Sequence, residues 1–347
     1  MTANTINIDD FIAAMPKCEL HVHVEGTLEP ELKFRLAARN GMTLPHTTVE
    51  ALRASYTFTN LSSFLAIYYD GMAVLQQEAD FYDLTYAYLE KAHSQNVVYA
   101  ELFFDPQAHT SRGVSFDTVI RGIRRAQKDA EIRLNIRSQL IMCFLRDFSA
   151  GFAMATLLES LPYKEWIVGV GLDSDERRNP PIKFTDVFAR ARKEGYLLTM
   201  HCDVDQDNST AHIRQCIEQI SVDRVDHGVN TLDEDALVEM ARTRGLGFTV
   251  CPMSNACVTG STKSQQIARM LELGLRVSVN SDDPAYFGGY MTENLLAVEH
   301  EVGLGVPGMM QLATNAIEVA WLPRRTRDRM LDELAAFKHG AEVAAVY

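Results

Sequence analysis

Cys18-Glu19-Leu20-His21-Val22-His23 is a short run of strand-forming residues that ends on two histidines one residue apart. On a strand, residues i and i+2 face the same side, so both imidazoles can point into one interior and grip one ion. A lone His-x-His pair says little, because two unrelated histidines on a half-buried face read the same way. The run gains meaning because its kind recurs. Residues 97–104, 137–144, 166–172, 196–201, 224–227, 247–251 and 276–280 are also short β-rich runs that lead through polar residues into helical stretches, making eight in all.

Between the runs lie amphipathic segments at 116–130, 184–193, 210–220, 233–243 and 264–273. Strands alternating with helices predict a parallel sheet with right-handed crossovers. Eight such units predict a closed (β/α)8 TIM barrel in the α/β class, with an open doubly wound sheet as the alternative. The connection after the first strand, 30–95, holds helical pattern at 31–39, 62–75 and 80–93, too much for one crossover. It is expected to pack over the strand ends as a helical cap, and the segment after Pro284 to supply the last helices. No linker or repeat divides the chain, so residues 1–347 are read as one domain.

The formal net charge of −13 argues against a nucleic-acid polymer as partner and suits a small, weakly charged substrate. Arg121, Arg124, Arg125 and Lys128 make a short basic run, but their spacing reads as a solvated helix face. Six scattered cysteines with no C-x-x-C pair argue against a disulfide scaffold and a thiolate zinc site. The first ten residues are polar and acidic rather than basic then apolar, and no apolar run spans a bilayer. The expectation is a cytoplasmic protein without a membrane partner; homo-oligomerisation stays open.

Barrels present their chemistry at the C-terminal strand ends. There this chain places His21 and His23, then His201, His227, Asp282 and Asp283. Three imidazoles and a carboxylate suit one divalent ion, Zn²⁺ or similar, with a position left for water. His201 alone reads more readily as a core histidine; four such residues converging by chance is much rarer. His227, followed by Gly228, can orient or deprotonate that water, or can be a structural histidine held by Asp226. Asp282-Asp283-Pro284 offers two carboxylates of opposite facing, although such a triplet is also a turn signal.

Several stretches together resemble the adenosine/adenine deaminase family of the amidohydrolase superfamily. They are Pro16-Lys17-Cys18-Glu19-Leu20-His21-Val22-His23-Val24-Glu25-Gly26-Thr27, Gly171-Leu172-Asp173-Ser174-Asp175-Glu176, Arg224-Val225-Asp226-His227-Gly228, Cys251-Pro252-Met253-Ser254-Asn255 and Val279-Asn280-Ser281-Asp282-Asp283-Pro284. The resemblance implies one metal held by His21, His23, His201 and Asp282, and a His227 that assists the attacking water. It also implies an Asp283 that accepts a hydrogen bond from the imidazole part of a purine. Water attack at C6 then releases ammonia or an amine. Glu25 and Ser174, where nucleoside deaminases usually carry Asp and Gly, resemble the free-base adenine branch and imply a filled sugar site. Adenosine deamination is the alternative.

One departure stands out. The family's His-Ala-Gly-Glu motif, whose Glu protonates purine N1, reads His201-Cys202-Asp203-Val204-Asp205 here. Val204 cannot transfer a proton, and general acid help is worth ~10²–10⁴-fold. Asp205 is the first candidate to replace it, Asp203 the second; a catalytically weak purine binder is the remaining reading. A shorter acid leaves room at the exocyclic nitrogen, so N6-substituted adenines are expected as substrates, with Phe64, Tyr68 and Tyr69 as candidate lining. Lactone, amide or phosphoester hydrolysis with two metals is the rival chemistry. It usually needs a fourth-strand lysine, which Gly171-Leu172-Asp173 lacks.

Overall fold

The structure, a computed structural model, describes residues 7–202 and 206–346. Eight parallel strands follow one another around the sheet in chain order. They are β1 (Lys17–His23), β2 (Val97–Phe104), β3 (Arg137–Leu145), β4 (Ile167–Asp173), β5 (Leu197–Cys202), β6 (Arg224–His227), β7 (Gly247–Val250) and β8 (Arg276–Val279). The sequence runs and these strands agree within a residue or two at each end. Trp166 is the instructive miss, because it closes a 3-10 turn over Leu161–Trp166 rather than opening β4.

Two joints in the wall differ from the rest. β1 and the end of β8 meet through a single parallel bridge, Val22 to Asp282. There the His23 N–H donates to the Asp282 carbonyl at 2.9 Å, and the Asp282 N–H to the His21 carbonyl at 3.0 Å. The Asn280 side chain adds an acceptor for the Leu20 N–H at 2.8 Å. The β4–β5 ladder pairs only Gly169 with Leu197 and Val170 with Leu198, so the strands part toward their C-terminal ends. Arg146, fully buried, fills the parting. Its Nη1 donates to the His201 carbonyl at 2.8 Å, its Nε to the Asn179 carbonyl at 3.0 Å, and its backbone N–H to the Asp173 carbonyl at 3.0 Å.

The outer helices show why the sequence pattern was readable. In Phe116–Leu134 the Ser115 hydroxyl caps the Thr118 N–H, and Val119, Ile120, Ile123, Ala126 and Ala130 make the buried stripe. The chain after β1 divides its work. Leu61–Gly71 lies over the strand ends, whereas Glu78–Ser94 packs along Phe116–Leu134 on the barrel flank. Phe81, Leu84, Tyr88 and Leu89 give Glu78–Ser94 the apolar stripe of an ordinary barrel helix. The stretch 210–220, expected as one helix, is α-helical over Ser209–Arg214 and continues as a π-helix over Gln215–Ile220. No helix among the described residues is long and apolar enough to cross a membrane.

Candidate active site

The four expected ligands come together at the strand ends. One nitrogen or oxygen from each of His21, His23, His201 and Asp282 lies within 4.8 Å of the others, and all four residues are buried. His21 Nε2 is 3.2 Å and His23 Nε2 3.4 Å from Asp282 Oδ1, while His23 Nε2 faces His201 Nε2 at 3.1 Å. His21 Nε2 is buried without a hydrogen bond, a state that costs ~1–3 kcal/mol if nothing else meets it. Three ring nitrogens and a carboxylate oxygen gathered this closely fit a divalent cation in both chemistry and spacing.

The backbone helps to aim these groups. His227 (φ 57°) and Asp282 (φ 65°) both take the left-handed conformation, which His and Asp tolerate better than most residues. His227 Nε2 lies 3.8 Å from Asp282 Oδ2. Burial pushes the His227 imidazole down to about 4, reinforced by His21 and His23 and opposed by Asp282 and Asp226. Gly228 (φ 70°) must be glycine twice over, since a Cβ there would also sit 2.8 Å from Phe248 Cδ1.

The neighbouring carboxyls part company. Burial resists ionising Asp282, but His21, His23 and His227 outweigh it and hold the group well below the usual carboxylate range. Asp283 is pushed well above that range by burial, with His23 opposing and Asp282 adding to the rise. A Cβ on Gly26 would overlap the Asp283 carboxyl, so the glycine makes room for it.

The cleft above opens to solvent. His23, His201, His227, Asp282, Asp283 and Ser174 line it, together with Leu61, Phe64, Leu65, Tyr68 and Tyr69 from the cap. Glu25 is not among the lining residues. It is fully buried, with Oε1 accepting from the Asp105 N–H at 3.1 Å and from His109 Nε2 at 2.8 Å, while Arg112 donates to His109 Nδ1. Glu25 thus braces the wall, and Asp105 faces the cleft. Asp203 and Asp205, the candidate acids, lie outside the described residues.

Sequence reasoning missed Asp105, Asp173 and Asn255 as lining residues. Asp173 stands 3.5 Å from His23 Nδ1, and burial raises it to about 6 against the pull of His23. Burial, then Asp173 and Glu25, push Asp105 well above the carboxylate range. The signal was available, because both aspartates sit at a strand end, as the histidines do.

Three imidazoles and a carboxylate at the C-terminal mouth of a (β/α)8 barrel define a metal-dependent hydrolase. More narrowly, the chain belongs to the adenosine deaminase family, whose model matches residues 16–337. An uncharacterized deaminase of Schizosaccharomyces pombe is 51% identical over 332 residues, covering 95% of this chain and 98% of its own. An adenine deaminase of Hahella chejuensis is 47% identical over 94% of this chain and 98% of its own. Among solved structures, the adenine deaminase of Arthrobacter aurescens superposes with a TM-score of 0.91 at 40% identity, covering 94% of this chain and 100% of that one.

Proposed function

We propose that this protein hydrolytically deaminates a free purine base at C6, adenine foremost, to hypoxanthine and ammonia, using zinc held by His21, His23, His201 and Asp282. The observation that carries the reading is the convergence of those four side chains beneath a cleft walled by His227 and Asp283. The adenine deaminases similar to it along almost their whole length support the choice of base. Three neutral nitrogens and one carboxylate favour zinc over harder ions. A divalent ion so held supplies the Lewis acidity that makes water a nucleophile near neutral pH.

The chain's own groups do the rest. His227, neutral and buried, orients the attacking water and takes its proton. Asp283 binds the imidazole edge of the purine. Ser174 borders the same cleft. Protonation at N1 is assigned to Asp205, with Asp203 as the alternative. Leu61, Phe64, Leu65, Val258 and Phe287 give the cleft an apolar side, which favours N6-alkyl adenines as further substrates. A cytoplasmic location fits the six cysteines, all of which stay unpaired.

Purine absorbance and amine release across adenine, adenosine and N6-methyladenine test the proposal. Adenine should turn over far faster than adenosine, with N6-methyladenine also consumed and methylamine released. Equal rates on adenosine, or purine binding without amine release, would overturn it.

A further inference from the structure

An imidazole that holds a metal through Nε2 carries its proton on Nδ1, and the group accepting that proton fixes the ring. The three candidate ligands meet this need in different ways. His23 Nδ1 faces Asp173, at 3.5 Å from Oδ2, a carboxyl it shares with Asp105 and Cys143. His21 Nδ1 lies 2.9 Å from Thr249 Oγ1 and 3.2 Å from the Thr249 carbonyl. The Thr249 hydroxyl donates its hydrogen to Asp226 Oδ1 at 2.9 Å, so toward His21 it can only accept. His201 Nδ1 stands 3.4 Å from the other oxygen, Asp226 Oδ2, and is buried without a hydrogen bond. One carboxylate thus faces two of the three rings, one directly and one through a hydroxyl.

Asp226 is fully buried on β6, next to His227, whose left-handed backbone (φ 57°) ends the strand alternation there. Thr199 Oγ1 donates to its Oδ2 at 2.7 Å. A carboxylate in such an interior needs an opposite charge. Arg224 provides it from two residues back on the same strand face, with Nε 3.9 Å from Asp226 Oδ1. Arg224 is itself fixed, as Nη1 donates to Glu101 Oε2 at 2.6 Å and the guanidinium lies 4.3 Å from the centre of the Trp321 ring.

We propose that Asp226 is a positioning residue for the metal site, setting His21 and His201 together as Nδ1–H tautomers, with Thr249 as relay and Arg224 as buried counter-charge. The proposal rests on His21 and His201 being metal ligands and is independent of the substrate. It distinguishes shape from hydrogen-bond polarity. Asp226→Asn keeps the shape but swaps one acceptor oxygen for an N–H donor. The ring facing that donor must move its proton to Nε2 and loses the lone pair aimed at the ion.

The test measures zinc affinity of the metal-free protein against a chromophoric chelator, with metal-free melting and the visible spectrum of the cobalt-loaded form alongside. Asp226→Asn should weaken zinc binding ~10–100-fold and alter the cobalt spectrum. Thr249→Val, which removes the hydroxyl between His21 and Asp226 but leaves the Thr249 carbonyl 3.2 Å from His21 Nδ1, should lose less, and Thr249→Ser should recover most of that loss. If Asp226→Asn does not fold, the Thr249 pair alone decides. Undiminished zinc affinity in Asp226→Asn or Thr249→Val would overturn the proposal, as would equal losses in Thr249→Ser and Thr249→Val, which would point to packing. Turnover of adenine is not read, so a failure here is distinct from a failure of the assigned reaction.

Discussion

Gly26 carries a function through having no side chain. A Cβ on it would overlap Asp283 and displace the group assigned to the purine. Gly26→Ala is therefore expected to lower kcat/KM for adenine by about 10²-fold, the usual cost of shifting a positioning group by an ångström. Bound metal should stay at wild-type stoichiometry, and metal analysis beside steady-state kinetics checks both halves. At this scale the sequence was legible where a rare residue type stood at a strand end, as His21, His23, His201 and Asp282 do. It was not legible where meaning depends on a partner across strands. Nothing in Arg224-Val225-Asp226-His227 shows that Asp226 will face His201 and Thr249, because that pairing arises from the β5–β6–β7 register. The partners of Glu25 were hidden for the same reason, since His109 comes from the short helix Pro106–Thr110 after β2 and the Asp105 N–H from its start.

At the scale of elements, the parting of β4 from β5 is the irregularity with a purpose. Full pairing would draw the end of β5 against β4; instead Arg146 occupies the space and holds the His201 carbonyl from behind. Arg146→Met should fill much of the volume yet leave the His201 and Asn179 carbonyls without that donor. At ~1–3 kcal/mol for each buried group left unsatisfied, the loss is on the order of 3 kcal/mol, readable as a lower urea midpoint. Strand positions were predictable because short β-rich runs alternate with helical periodicity. The π-helical turn at Gln215–Ile220 was not, since its residues keep the same apolar spacing as an α-helix. The place of Glu78–Ser94 was hidden because amphipathicity reveals a buried face without naming what covers it.

For the whole molecule, the proposed metal site predicts that stability depends on metal. Chelation should lower the melting temperature, and readdition of zinc should restore it in a concentration-dependent way. A free ion at ~100 times its dissociation constant stabilises a fold by about 2.7 kcal/mol. A melting temperature indifferent to metal would mean that the four ligands hold nothing.

The β1–β8 joint has a consequence for how the protein comes into being. Its hydrogen bonds run through His21, His23 and Asp282, so closing the wall and gathering the ligands are one event. Leu20 and Asn280, which meet beside it, are 260 residues apart in the chain. On the ribosome the first two histidines emerge long before their aspartate, and no nascent chain short of β8 can assemble the full ligand set. With the proposed ligand set, loading with metal is thereby reserved for chains that have been made past β8.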